Sequence, residues 1–562
     1  MKDMLRRMRF LREVGMCVLF VMAVCGTARG QDVDVTGRVT SEDGSRLPAV
    51  TVRIRGTNTS TVTDAEGKYF ITAPADGVLL FNRIGYRGVG QSIGKRTTID
   101  VALERAISVL PEVVVTGYTS QKRADITGAV AIANVESIER QTSTSVLQRL
   151  DGRVPGVTVD ASGSPGSRST VRIRGFTSFQ NNDPLYIVDG TPVEDSYINW
   201  LNPNDIGSIQ VLKDASAASI YGSRASNGVV IIETKKGRPG RRQVSLDVRT
   251  GVASPVNGYD SFLMQDALQY FQVVKQSYLN AGFPIDSVPS NIFGNAASPS
   301  VPAYIWPNNC GPKQAAGLCT SVDENSYAFP NTLIMRGSPG TDWWKAVFSP
   351  AAFADANLGV SGGGEDHAYN VSFNYLNQDG TAAYNRFQRG TLRVNTTFGI
   401  NKVSVGENIT LSRDEQYGGI PNDPGGYAED GIMGKDILMQ PVIPVYDING
   451  YFASGKAVGL GNQTNPLRAA WAQKDNLNRN TRLFGNVFAG FDMTNRISLK
   501  TRFGFNLNQA AYKQYNPITP ENSEPSFSNS IRDSSAHSTD WTWSNTATYV
   551  GTFGRHGVTV LL

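Results

Sequence analysis

Residues 202–237 read NPNDIGSIQVLKDASAASIYGSRASNGVVIIETKKG. Two β-type runs, IGSIQVL at 206–212 and NGVVIIETKKG at 227–237, flank a small-residue stretch from Asp214 to Ala218. Short aliphatic runs bounded by Gly, Asn and Asp read as strands. Upstream, PLYIVDG at 184–190 and VRIRG at 171–175 add two more. Val135–Leu150 allows a helix whose apolar side includes Ile138, Val146 and Leu150, and which stops before Asp151-Gly152. The pattern from Ile126 to Gly237 therefore predicts a compact α/β unit.

Immediately before it lies PEVVVTGYTSQ, residues 111–121. Three consecutive valines, Val113, Val114 and Val115, held between Glu112 and Gly117, make an extended segment that needs a partner strand. Further back, residues 32–104 break into short strand-like pieces: VDVTGRV, AVTVRIRG, STVTD, KYFITA, GVLLFNRIG and TIDVALE. Asp64–Gly67 supplies a turn between two of them, and the spacing predicts a small β-sandwich of about seven strands.

The first thirty residues are of another kind. Lys2, Arg6, Arg7, Arg9 and Arg12 precede an apolar run from Val14 to Val24, and Gly26, Thr27, Ala28 and Gly30 follow it. A basic start, a short apolar core and small residues describe a secretory signal peptide over 1–30, cut near Gln31. A lipoprotein signal at Cys25 is disfavoured because Val24 is bulky. The leader holds six basic and two acidic residues of the chain's 53 and 49, leaving 47 of each sign. A neutral mature chain gives a nucleic-acid partner no electrostatic support. Of four cysteines, Cys310 and Cys319 lie beyond the leader, a disulfide candidate in an exported chain. With no later run of about 18 apolar residues, any crossing of a membrane must use β-strands.

Beyond Val244, apolar and polar residues alternate. Tyr369, Val371, Phe373 and Tyr375 interleave with Asn370, Ser372 and Asn374, and the same period recurs from Ile497 to Asn508. Strands are expected at 243–252, 353–361, 367–379, 388–398, 402–413, 480–492, 497–512, 540–554 and 557–562. Tight connections then alternate with long ones, the asymmetry of an outer-membrane barrel rather than of a soluble sandwich. The long stretches 253–352, 414–479 and 513–539 are expected outside the cell, the first with a helix over Ser261–Leu279. Glu407 breaks the pattern by sharing the apolar parity of Val405 and Ile409, which suggests an interfacial position or a bulge.

IRGF at 173–176, NDPLYIVDGTPV at 182–193 and the opening stretch at 202–237 resemble the plug domain of TonB-dependent outer-membrane transporters. GRVTSEDGSRLPAVTVRIRGT, VTDAEGKYFI and FNRIGYR, from 37 to 87, resemble the carboxypeptidase-regulatory-like domain. The pairing is similar to the SusC/RagA family. The resemblance implies a mainly β, multidomain chain: a sandwich at 31–105, a linker with a TonB box at 106–121, a plug at 122–238 and barrel from 239 to 562. A plugged transporter barrel has about 22 strands, and GVTVLL at 557–562 stops inside a strand, so the nine strands are expected to be part of a barrel.

By the same resemblance the TonB box is Glu112, Val113, Val114, Val115, Thr116, Gly117 and Tyr118, offered to TonB by β-augmentation. Arg172, Arg174, Gly175, Asp189, Gly190, Lys213, Asp214, Tyr221, Gly222, Arg224, Asn227 and Gly228 are the plug-motif positions. Arg172, Arg174, Lys213 and Arg224 are expected to reach from plug to barrel. The family implies TonB-driven import of an oligosaccharide or peptide and a SusD-like surface lipoprotein as partner. A receptor of the same architecture that signals without transport is the alternative, and a secreted adhesin of repeated β-modules a third reading that the absence of repeats after 243 disfavours. No cofactor, metal or enzymatic role is expected. His367, His537 and His556 stand alone, Gly88–Arg96 fails as a phosphate loop, and no Gly-x-Ser-x-Gly elbow occurs. Tyr417, Tyr427 and residues 421–424 are loop positions where a ligand could be touched, though each taken singly is better read as loop punctuation.

Overall fold

The computed structural model describes residues 32–562 except 58, 84–85, 105–112, 117–118, 123–128, 134, 136–142, 144, 162, 168, 177–178, 180–181, 194–197, 199, 215–218, 256–262, 289–291, 307–321, 419–430, 458 and 555. The chain divides into two compact units, 1–113 and 114–562.

In the first unit, β1 (Asp32–Ser41), β2 (Thr51–Ile54), β3 (Ser60–Val62), β4 (Lys68–Pro74), β5 (Val78–Asn82), β6 (Val89–Ser92) and β7 (Val101–Leu103) form the expected sandwich. One sheet runs β4-β1-β7 and the other β3-β2-β5-β6. Alternate residues point inward, so Val35, Val52, Ile54, Ile71, Leu79 and Phe81 make one core between the sheets. Gly37 is required there: a Cβ would sit 1.9 Å from the Ile99 carbonyl oxygen. Burial pushes the Tyr69 hydroxyl up to about 12, with Asp100 adding to it, and the neutral phenol donates to the same Ile99 carbonyl at 2.8 Å.

The valine run forms β8 (Val113–Thr116), which among the described residues pairs with β9 (Thr119–Lys122) in a two-stranded ribbon separate from the sandwich sheets. The α/β unit follows with β10 (Val130–Ala133), β11 (Val157–Ala161), β12 (Ser169–Ile173), β13 (Leu185–Val188), β14 (Thr191–Val193), β15 (Ile206–Leu212) and β16 (Val229–Thr234). Five of these build a mixed sheet, β10-β15-β16-β13-β14, and β11-β12 form a separate ribbon. Of the helix expected over 135–150, residues 136–142 lie outside the described residues. Its end is a short 3-10 turn at Gln148–Leu150, with Val146 and Leu150 buried in the unit's core.

The remaining strands are β17 (Gly240–Ala253), β18 (Ala351–Gly363), β19 (His367–Asp379), β20 (Arg386–Ile400), β21 (Val403–Tyr417), β22 (Leu477–Thr494), β23 (Ile497–Asn516), β24 (Ser530–Phe553) and β25 (His556–Leu561). They form one antiparallel sheet in sequence order. Each expected strand is present; β22 and β24 begin earlier than expected, at Leu477 and Ser530, whereas β19 keeps the expected bounds His367–Asp379. Tight turns gather at one end of the sheet and the long connections at the other.

The sheet is polar toward the plug and apolar away from it. Asn374, Arg389, Thr391, Arg393, Asn395, Asn408 and Asn486 are buried, while Leu246, Phe373, Leu392, Leu411, Phe503, Trp541 and Trp543 are exposed. In water such a wall would be unstable, since its apolar face has no cover. On β21 the exposed face runs from Val403 to Leu411. Eight rises of about 3.4 Å tilted by about 40° give a band roughly 20 Å tall, close to the lipid-facing band of outer-membrane barrels. Among the described residues no helix is long and apolar enough to cross a membrane.

The long connections carry α1 (Ala267–Asn280), α2 (Trp343–Val347), α3 (Ile432–Leu438) and α4 (Pro466–Ala472). The helix expected from Ser261 starts later because Asp266 caps it, accepting from the Gln269 amide at 2.7 Å. The connections between β17 and β18 and between β21 and β22 share one core, in which Phe271, Ile305 and Trp343 meet Val442, Ile443 and Leu460.

Candidate functional site

The plug is seated against the sheet through its VDG turn. β13 and β14 are joined by the two residues Asp189 and Gly190, with φ of 48° and 79°. Positive φ at both positions is what a type I′ hairpin turn demands, and Asp-Gly suits it. The Asp189 side chain is buried and accepts from the Thr234 amide at 3.0 Å and the Thr234 hydroxyl at 2.7 Å, which ties the turn to β16. Arg393 on β20 closes the set, with Nη2 3.1 Å from Asp189 Oδ2. Burial pushes the Asp189 carboxyl up, but Arg393 and the Thr234 hydrogen bonds outweigh it and hold the group below the usual carboxylate range.

Two further strands grip the same turn. Asn486 on β22 donates to the Asp189 carbonyl at 3.2 Å and the Thr191 hydroxyl at 3.1 Å. Arg502 on β23 donates to the Gly190 carbonyl at 3.2 Å. A Cβ on Gly190 would stand 1.7 Å from Arg502 Nη1, so the glycine serves both the turn and the close approach.

A second grip centres on Trp200, fully buried and packed on Phe484 of β22 at 4.9 Å, with Arg482 above the ring at 5.5 Å. The carbonyls of Trp200 and Leu201 accept from Thr391 and Arg389 at 3.4 and 3.3 Å. The Asn-Pro-Asn-Asp turn at 202–205 adds to the seat, Asn202 donating to Asn357 of β18 at 2.9 Å, and in the loop between β11 and β12 the Pro165 carbonyl accepts from Gln416 of β21 at 3.1 Å. Among the described residues the seam consists mainly of hydrogen bonds, with the Asp189–Arg393 ion pair and the Trp200–Phe484 contact. Such an interface can exchange its partners for water at low cost, unlike an apolar seal.

Comparison with known proteins supplies the family. Residues 122–229 match the TonB-dependent Receptor Plug Domain, and residues 35–115 match the CarboxypepD_reg-like domain. TonB-dependent receptor P39 of Formosa agariphila is 30% identical over 86% of this chain, covering 41% of the relative. TonB-dependent receptor SusC of Bacteroides thetaiotaomicron is 28% identical over 82% of this chain and 43% of the relative. The structure of the RagAB peptide importer in the open-open state aligns with a TM-score of 0.64 at 26% identity, over 80% of this chain and 48% of that one. The chain is similar to the SusC-like TonB-dependent receptors and carries a plug and a CarboxypepD_reg-like domain. It spans less than half the length of these relatives.

Within this SusC-like chain the expected plug contacts are partly corrected. Arg172 pairs with Asp183, Arg174 with Asp214, and Lys213 donates to the Pro155 carbonyl, all inside the plug. These three do not reach the barrel wall in the contacts they make. Instead, the wall's arginines 389, 393, 482 and 502 reach inward. The reason is geometric: the plug's own ribbon and loops need cations to tie them, whereas long side chains on the wall can span the gap. Asp214 also accepts from the Ala129 amide at 2.6 Å, anchoring β10. Tyr221 is buried under the sheet, and Gly222 at φ 70° interrupts the 3-10 segment Ser219–Ala225 that carries Arg224. Asn227 donates to the Asp183 carbonyl at 3.3 Å, and Gly228, at φ 88°, hands the chain into β16. Gly175, at φ 96°, turns the chain after β12.

Tyr417 ends β21 and donates to Glu415 at 2.8 Å. Glu112, Gly117, Tyr118, Cys310, Cys319, Tyr427 and residues 421–424 lie outside the described residues. Glu407 is in continuous register between Thr396 and Val487, which removes the bulge, and Thr396 donates to it at 2.5 Å. The sequence places Arg502 on the polar parity of its strand without assigning it a role, and the same parity holds for Arg389, Arg393 and Arg482.

Proposed function

We propose that this chain is the plug-bearing part of an outer-membrane importer for an oligosaccharide or peptide nutrient, worked by TonB and capped by a SusD-like lipoprotein. The reading takes residues 106–121 as linker and 112–118 as the TonB box. What carries it is the hydrogen-bonded seam between the plug and a wall that is apolar on its far side: a cork seated in this way is removable. The RagAB neighbour is described as a peptide importer, and SusC is a relative over most of this chain.

The coupling strand suits its task. A two-stranded ribbon is marginal by itself, so β8 is free to exchange β9 for a strand of TonB. Several main-chain hydrogen bonds then share a pull along the chain. Force delivered there would draw on the plug through β10, loosen the grips at Asp189 and Trp200, and open a hydrated path lined by the wall's Asn and Thr residues. The test is uptake and binding in cells carrying the full receptor with residues 112–118 deleted. Binding at the surface should persist while import is lost; import at the wild-type rate overturns the proposal.

A further inference from the structure

The outward face of the sheet changes character at its loop end. Phe373, Leu392, Leu411, Leu483 and Leu507 stand in register across five strands. Two residues beyond Leu411 toward the loops, Arg413 opposes Gly390 and Thr481; two further, Glu415 opposes Gln388 and Arg479; at the end of β21, Tyr417 opposes Arg386. An apolar band thus gives way directly to three arginines on adjacent strands.

Glu415 organises them. Its side chain is only 16% exposed, while those of Arg413 and Arg479 are 56% and 37% exposed. Glu415 Oε1 accepts from Arg413 Nε and Nη2 at 3.1 and 2.7 Å and from Arg479 Nε at 2.8 Å. Arg386 is held likewise, Nε donating to Asp379 at 2.7 Å. The carboxylates grip the inner edges of the guanidiniums. Both η nitrogens of Arg386 and Arg479, and Nη1 of Arg413, remain turned to the surroundings without a partner among the described residues.

We propose that this belt binds the phosphate groups of a phosphorylated saccharide lipid in the outer leaflet. Guanidinium forks match phosphate oxygens in pairs, and neighbouring strands about 4.8 Å apart place several forks on one headgroup. The leucine row beneath offers acyl chains their natural contact. A soluble anion would use the arginines and leave that row unexplained. The inference rests on reading the sheet as outer-membrane barrel with its long connections outside.

The test uses the full receptor in detergent, titrated with a bis-phosphorylated disaccharide lipid, its dephosphorylated counterpart and inorganic phosphate, with bound lipid counted by native mass spectrometry. The phosphorylated lipid should bind at least about tenfold more tightly than the dephosphorylated one. The double variant Arg413→Gln/Arg479→Gln should lose that advantage, and Lys402→Gln, at the turn end, should keep it. Equal binding of the two lipids, or an undiminished advantage in the double variant, overturns the proposal. Displacement of the lipid by inorganic phosphate at equal concentration overturns the lipid assignment. Should the glutamine pair fail to reach the membrane, Arg413→Lys/Arg479→Lys retains charge without the fork and should weaken binding about threefold; no weakening overturns the proposal. Protease cutting of residues 322–342 from outside intact cells tests the orientation independently, so its failure is distinct from failure of lipid binding.

Discussion

Asp189 is the residue on which the seat turns, because one carboxylate satisfies the plug's own β16 and the wall's Arg393 together. Arg393→Ala leaves a buried anion without its partner, a loss of about 3–5 kcal/mol; a chemical-denaturation midpoint of the docked plug measures it. The Asp189→Asn/Arg393→Ala pair should cost less than the two single changes added, since each removes the same contact. The folded carboxyl titrates below its ordinary value of about 3.9. The stability it contributes is therefore complete above the unfolded value and lost as pH falls through the folded one. Melting temperature plotted against pH should drop below about pH 4 in the natural protein and lose that component in Asp189→Asn. Glu407 sits at the middle of the apolar band with Thr396 as partner. Glu407→Gln should raise the receptor's resistance to heat unfolding in lipid, because an ionisable group there is costly.

At the scale of elements, the long connections behave as a small domain of their own. Asp436 on α3 is buried, and neither carboxylate oxygen has a hydrogen-bond partner among the described residues. Burial, with Asp342 adding to it, pushes its carboxyl up to about 7. The folded lobe then binds a proton that the unfolded lobe has released, so between the ordinary aspartate value and about 7 its stability falls as pH rises. Protection factors of residues 432–438, corrected for the intrinsic pH dependence of amide exchange, should be lower at pH 8 than at pH 5, and Asp436→Asn should remove the difference. The helix expected over 261–279 is present from Ala267 to Asn280, but its partner core is not legible in the sequence. Phe271 finds Val442 and Leu460 only after the four strands β18 to β21 have brought two distant connections to one end of the sheet. The PLYIVDG run is expected as a strand, whereas the hairpin turn at Asp189-Gly190 and its clasp by Arg393, 204 positions away, emerge only in the fold.

For the whole molecule, the deciding property is a sheet turned inside out relative to a soluble protein. Arginine placed on the outward row at Ile409 should cost about 2–4 kcal/mol at mid-bilayer, and a fall in heat-modifiable, membrane-inserted receptor on gels would register it. At Arg413, beyond the band, replacement by Gln should leave insertion unchanged.

Alternation of period two and the lengths of the connections are local facts, and they sufficed for the nine strands, their outward face and the tight-turn end. Motif order sufficed for the sandwich and the plug. Which cations cross from wall to plug was decided only by the tertiary structure. Arg172, Arg174 and Lys213 had the right chemistry, yet they are taken up by Asp183, Asp214 and the Pro155 carbonyl within the plug. Sequence parity assigns a side chain to a face because the pleat is local; it cannot assign a partner, since that depends on which distant strand the closed packing brings within about 3 Å.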